Sequence, residues 1–289
     1  MSETVYKALE DALKNSEPLL IGRFGTIEFE AVYWVERFDS EFPEKKRELL
    51  ERNAGIFPSD MGTIKRWAAC VKGAVCAADV LAVGWYPPIA KDESELLEKW
   101  GWDGGRVGLR DLEPYYVEAE KRWTRLLGGQ EVCVVTSFCD TARRQLAKGE
   151  RSLWPSASGS IFPDGAVWHW VQTGYSPVLA YGRCGWEESP ESWEEAADWV
   201  VGEVLKTGAK IVLIGCGGLG MVIGGRLRAA GKICIVMGGA LQVLFGIKGG
   251  RWASHPVISG FWNSDWVWPS YEETPGGAMS VEEGCYWKA

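Results

Sequence analysis

Ile211-Val212-Leu213-Ile214-Gly215-Cys216-Gly217-Gly218-Leu219-Gly220 reads as a buried strand that runs through G-x-G-x-x-G into a helix. Glycines at those positions let the backbone turn tightly and approach a diphosphate, whose charge a helix N-terminus stabilises. A dinucleotide site also wants Asp or Glu at the end of the next strand, roughly 20 residues on, to hold the ribose hydroxyls. That strand is Lys232-Ile233-Cys234-Ile235-Val236, and it ends in Met237-Gly238-Gly239. The acid is missing. The stretch predicts a nucleotide-competent α/β fold, and it leaves an NAD(P)-dependent oxidoreductase resting on the glycines alone.

Outward from this point, short apolar runs alternate with helical periodicity. An amphipathic helix over 3–14 carries Val5, Leu9, Ala12 and Leu13 on one face, and a strand over 18–22 turns at Arg23-Phe24-Gly25. A helix from Thr26 turns Ile27, Ala31, Trp34, Val35 and Phe38 inward. A polar helix follows Pro43 to about Asn53, and Ser59 or Asp60 caps another that runs to about Ala77. Strands are expected over 80–83, 132–135 and 167–171, helices over 112–127, 140–148 and 190–206, and loops over 101–108 and 154–165. This alternation predicts a Rossmann-like parallel sheet with helices on both faces. Residues 1–250 form that domain, and 251–289 a Trp-rich C-terminal cap packed on it.

The 289 residues are 46% hydrophobic and 24% charged, as expected of a globular chain. The net charge is −8 and the basic residues are dispersed, so no nucleic-acid partner is expected. No apolar run nears the ~20 residues of a membrane span. Met1-Ser2-Glu3-Thr4-Val5-Tyr6-Lys7 has no signal-peptide core, so a cytoplasmic location is expected. The eight cysteines contain no C-x-x-C pair, and Cys133 and Cys234 lie inside apolar strands. Reduced thiols, rather than disulfides or zinc, follow. Seventeen tryptophans are far above average usage, and the last forty residues are dense with them. They serve as core packing or as a sugar-stacking surface.

Arg23-Phe24-Gly25-Thr26-Ile27-Glu28-Phe29 sits where open α/β sheets bind ligands, just beyond the carboxyl end of a strand. Arg23 can pair with a phosphate, Gly25 permits close backbone approach, and Glu28 projects from the first helical turn. The plainer reading is that Thr26 caps the helix and Glu28 complements its dipole.

The segment resembles the Arg-Phe-Gly-Asp-Gly-Glu-Phe signature of the GT-D class of glycosyltransferases, with Arg23, Phe24, Gly25, Glu28 and Phe29 at matching positions. That resemblance implies a Rossmann-like enzyme that transfers a sugar from a nucleotide donor, with an Asp-x-Glu motif associated with metal and diphosphate. Here the acid is Thr26 and the intervening glycine is Ile27. Glu28 is left as the acidic ligand for Mn²⁺ or Mg²⁺, and a hydroxyl binds such ions far more weakly than a carboxylate. The run 211–220 and the later turn Met237-Gly238-Gly239-Ala240-Leu241-Gln242 are similar to the second half of such proteins. Leu244 to Trp252 and Gly284-Cys285-Tyr286-Trp287 resemble proteins associated with polysaccharide biosynthesis.

On this reading the donor is a nucleotide sugar, UDP-linked before other bases, and the acceptor a glycan hydroxyl. Donor contacts are expected from Arg23, Gly25, Thr26, Thr136, Ser137, Gly215, Gly217, Gly218, Gly238, Gln242, Lys248 and Arg251. The catalytic base is expected to be Glu28, with Asp79 next, ahead of Glu113, His169 and His255. Trp262, Asn263 and Trp266 are the expected acceptor platform. There is no G-x-S-x-G elbow and no Cys–His pairing by sequence to support nucleophilic catalysis. A non-catalytic carbohydrate-binding protein is the third class, and Thr26 is the residue that favours it.

Overall fold

The computed structural model describes residues 2–38, 40–157 and 160–287. Seven strands, β1 Leu19–Arg23, β2 Val80–Ala82, β3 Gly105–Val107, β4 Glu131–Thr136, β5 Val167–Gln172, β6 Ile211–Gly215 and β7 Ile233–Val236, form one sheet. Their order is β3-β2-β1-β7-β6-β4-β5, and every pairing is parallel. The inner strands are unbroken apolar runs because both faces are covered. Leu19, Ile21, Val134, Leu213 and Ile235 point into one core, and Leu20, Val135, Ile214 and Val236 into the other.

The helices are α1 Ser2–Asn15, α2 Thr26–Arg37, α3 Glu44–Leu49, α4 Met61–Cys76, α5 Pro87–Lys99, α6 Cys139–Ala147, α7 Glu150–Leu153, α8 Pro177–Ala180, α9 Trp193–Lys206, α10 Gly220–Ala229, α11 Ala240–Leu244 and α12 Ile258–Phe261. Side chains of α2, α4, α5, α9 and α10 fill one core, while α1, α6, α7 and α11 fill the other. Chains leaving β1 and β6 therefore turn to one face, and chains leaving β4 and β7 to the opposite face. Such divergence opens a crevice at the carboxyl ends of the strands.

Glycine sets how closely α10 packs. A Cβ on Gly220 would lie 2.9 Å from Val236, one on Gly224 2.8 Å from Leu20, and one on Gly225 2.8 Å from Ala74. The last glycine of G-x-G-x-x-G thus serves helix–sheet packing here.

Two stretches differ from the sequence expectation. Residues 112–127 are not an α-helix but three 3-10 turns, Pro114–Tyr116, Ala119–Lys121 and Trp123–Leu127. Arg122 replaces the missing helical hydrogen bonds, donating to the carbonyls of Val117 at 2.8 Å, Pro114 at 3.0 Å and Ala157 at 3.1 Å. Conversely, β3 Gly105–Val107 lies inside the expected 101–108 loop, and α5 Pro87–Lys99 forms where no element was expected. Pro87 and Pro88 start α5 because their fixed φ suits a first helical turn.

The tail is built into the fold. Trp252, Trp266, Val281 and Trp287 belong to the same core as the strands. The buried Glu273 carboxylate accepts the N–H groups of Asp140 at 2.8 Å and Thr141 at 3.1 Å, capping α6. None of the eight cysteines forms a disulfide. Among the described residues no helix is long and apolar enough to cross a membrane.

Candidate functional site at the strand ends

An inner chamber of about 160 Å³ lies over the carboxyl ends of β1, β4, β6 and β7. It adjoins a wider cleft of about 860 Å³, within the size range of small-molecule sites. Arg23, Gly25, Glu28, Gly239 and Tyr286 line both.

Arg23 is the last residue of β1, opposite Ala82 of β2. Its guanidinium sits 4.9 Å above the Trp85 ring, and no group among the described residues hydrogen-bonds or ion-pairs with it. A half-buried cation fixed over an aromatic face with all its donors free is suited to an anion. The helix that follows has no side-chain N-cap, which leaves the Thr26 and Ile27 N–H groups at the same place, while the Glu28 N–H bonds its own carboxylate.

Glu28 folds back from the first turn of α2 onto Gly25, where any Cβ would collide with its carboxylate. Only glycine permits that conformation. Burial raises the Glu28 pKa, while its own backbone N–H, Arg23 and Arg251 oppose the rise. Arg251 itself is paired: it donates to Glu282 at 2.6 Å and to the Tyr286 hydroxyl at 3.2 Å, and lies over the Tyr286 ring. His255 also lines the cleft. Its Nδ1 accepts the N–H groups of Val257 and Ile258 at 3.2 Å, so in the neutral ring Nε2 carries the proton.

Glu113 lines the cleft from the loop after β3. Burial pushes its carboxyl up to about 7, against the fields of Arg23 and Arg110. The sequence ranking placed it behind Glu28 and Asp79, because Glu-Pro-Tyr-Tyr reads as an ordinary helix start.

Thr136, Ser137, Gly215, Gly217, Gly218, Gly238 and Gln242 all line the inner chamber, and Thr26 lines the cleft. Two of the glycines, however, are used by the protein itself. A Cβ on Gly217 or Gly218 would lie 3.0 Å from the Ala54 carbonyl oxygen, and the Trp67 indole donates to the Gly218 carbonyl at 3.0 Å. The close approach these glycines allow is made by the π-helical turn Leu50–Ala54. Gln242 donates to the Lys248 and Tyr286 carbonyls, both at 2.8 Å, tying the tail to the chamber wall.

Five expected site residues lie outside both cavities. Asp79 precedes β2, at the amino end of the sheet, where it takes two hydrogen bonds from Arg228 at 2.8 and 2.9 Å and one from the Leu20 N–H at 2.7 Å. Its role is structural. The Lys248 ammonium lies over the Trp262 ring, and that ring packs edge-on to Trp268. Asn263 donates to the Ser152 carbonyl at 3.0 Å. Trp266 is buried against Trp154 and donates to the Leu153 carbonyl at 2.9 Å. Of the expected acceptor platform, Asn263 and Trp266 are committed to backbone carbonyls distant in sequence, while the half-buried Trp262 packs on Trp268 and its indole N–H has no partner among the described residues. His169 pairs with Glu131 on the edge strand.

Tyr286 and Trp287, from the C-terminal segment quoted above, line the chamber together with Tyr175 and Trp186, which the sequence did not mark. For Tyr175 and Trp186 the available signal was a preceding glycine, Gly174 and Gly185, which aromatic core residues share.

The donor set does not fit a divalent cation held by the protein. Thr26 and Glu28 offer one hydroxyl and one carboxylate beside two guanidinium groups, and Mg²⁺ or Mn²⁺ wants several oxygen ligands. Among the described residues no three His, Cys, Asp or Glu side chains converge as metal ligands. In comparisons with known proteins, no family model, no curated protein and no solved structure matches the chain.

Proposed function

We propose that the chain is a glycosyltransferase that moves a sugar from a nucleotide-sugar donor, a UDP-sugar first among them, to a hydroxyl of a glycan acceptor. The observation that carries this reading is Arg23: an unpaired guanidinium at the carboxyl end of β1, beside an uncapped helix N-terminus and two carboxyl groups. The diphosphate lies against Arg23 and the first turn of α2, where positive charge is fixed before the reaction starts. As the sugar–oxygen bond breaks, charge grows on the departing diphosphate and Arg23 stabilises it. A carboxylate at the cleft takes the acceptor proton. The larger cleft has room for sugar and acceptor together. An oxidoreductase is disfavoured by Met237 at the end of β7 and by the Ala54 carbonyl standing where a pyrophosphate would meet Gly217 and Gly218.

The test is a thermal-shift panel of UDP-, GDP- and CMP-sugars against NAD(H) and NADP(H), each with and without Mn²⁺. A ligand that binds only the native state raises stability by RT ln(1 + [L]/Kd). Stabilisation by one nucleotide-sugar class, without Mn²⁺, is expected. Stabilisation by nicotinamide cofactors alone would replace this reading with an oxidoreductase, and no shift at all would favour a non-catalytic protein.

A further inference from the structure

Two carboxyl groups face the cleft, in different surroundings. Burial raises the Glu28 carboxyl in the first turn of α2, but its own backbone N–H, Arg23 and Arg251 oppose the rise. Glu113 has less support. It is 9% exposed, its carboxyl takes no hydrogen bond or ion pair, and only the fields of Arg23 and Arg110 favour the anion. The Tyr115 and Tyr116 hydroxyls, which follow it in the chain, are themselves shifted upward by burial and by Glu113. Tyr115 Oη is buried without a hydrogen-bond partner among the described residues. A carboxyl out of bulk water, unpaired, at the wall of a ligand cleft is placed to exchange a proton with what enters it.

We propose that Glu113, rather than Glu28, is the catalytic base that accepts the proton of the acceptor hydroxyl. This rests on the transfer reading above. As the acceptor oxygen bonds to the anomeric carbon, its proton passes to a Glu113 carboxylate oxygen. The bond from that carbon to the diphosphate oxygen breaks, and its electron pair leaves with the diphosphate, whose added negative charge meets Arg23. The anomeric centre is inverted, and Glu113 then returns the proton to water. A carboxyl poised near 7 suits this step at neutral pH. Glu28, folded back over Gly25, reaches Arg23 only through its charge, and through that field it acts as a positioning residue for the guanidinium.

The test is the pH–rate profile of sugar transfer by the wild type, Glu113→Gln, Glu113→Asp and Glu28→Gln, with melting temperature and donor affinity measured for each. The wild-type rate should rise up to about pH 7 and then level. Glu113→Gln should lose about 100-fold or more in kcat with donor affinity retained, and its profile should lose that limb. Glu113→Asp should keep the limb at a lower rate, and Glu28→Gln should keep it with weakened donor binding. Transfer by Glu113→Gln within threefold of wild type, or an unchanged limb in that variant, would overturn the assignment while leaving the transferase reading standing. A wild type that transfers no sugar would overturn both.

Discussion

The Arg23 guanidinium carbon lies 3.7 Å from the point that a Cβ on Gly238 would occupy. Gly238 also has φ +59, the left-handed region that side chains disfavour. Sheet end and glycine turn thus fix the cation together. Gly238→Ala should cost about 1–2 kcal/mol of stability from backbone strain, a fall of about 2–4 °C in melting temperature. A Cβ makes only ordinary contact there, so donor affinity should hold in that variant and fall with Gly238→Leu. Equal affinities for the two would show that Arg23 does not depend on this glycine.

Glu113 makes stability depend on pH. Its folded value is about 7 against about 4.3 for an unfolded glutamate. A raised value favours the protonated fold, so the contribution is fully present below pH 4 and is lost as pH rises through 7. The ionised carboxyl should cost roughly 3 kcal/mol at pH 8. Glu113→Gln should therefore be more stable than wild type at pH 8, with the gap gone by pH 4. Chemical denaturation at both pH values measures it, and a gap that does not change with pH would contradict the buried carboxyl.

Asp79 belongs to the sheet's amino end, not to the site. Asp79→Ala strands Arg228 and the Leu20 N–H and should cost about 1–3 kcal/mol, while donor affinity is unchanged. Loss of donor binding without loss of stability would restore Asp79 to the site.

Gly217 lines the chamber and also packs closely against the Ala54 carbonyl. Gly217→Val should push away the Ala54 carbonyl, 3.0 Å from any Cβ there, and φ +46 adds strain. The expected result is a destabilised protein, by about 1–3 kcal/mol, whose residual folded fraction still binds donor. Abolished binding in a protein of normal stability would place the diphosphate on this glycine instead.

The inner strands were legible because they are continuous apolar runs, and α4 because Asp60, one of the two caps expected, holds its first turn. The Arg23–Glu28 segment was legible for the same reason: it follows one of those runs directly. What stayed hidden depends on partners far along the chain. Asp79 looked like a free acid until Arg228, 149 residues away, took both its oxygens. Trp266 looked like a sugar platform until its indole met Leu153, 113 residues away. Residues 112–127 carried helical spacing, but Pro114 and the Arg122 guanidinium hold them as separate turns. Tyr286 reaches the site only because the tail folds back over Gly239, whose added Cβ would sit 3.0 Å from its ring.

The most direct measurement is calorimetric titration of the stabilising nucleotide sugar into wild type and Arg23→Ala at low salt. Arg23 makes no hydrogen bond or ion pair within the protein and only stacks over Trp85, so its removal should cost about 1 kcal/mol of stability, a fall of about 2–4 °C in melting temperature, while donor affinity falls about 10- to 150-fold, the worth of hydrogen bonds to a charged group. Equal affinity of the two proteins, or binding of NAD(H) in place of any nucleotide sugar, would contradict a diphosphate site at the end of β1.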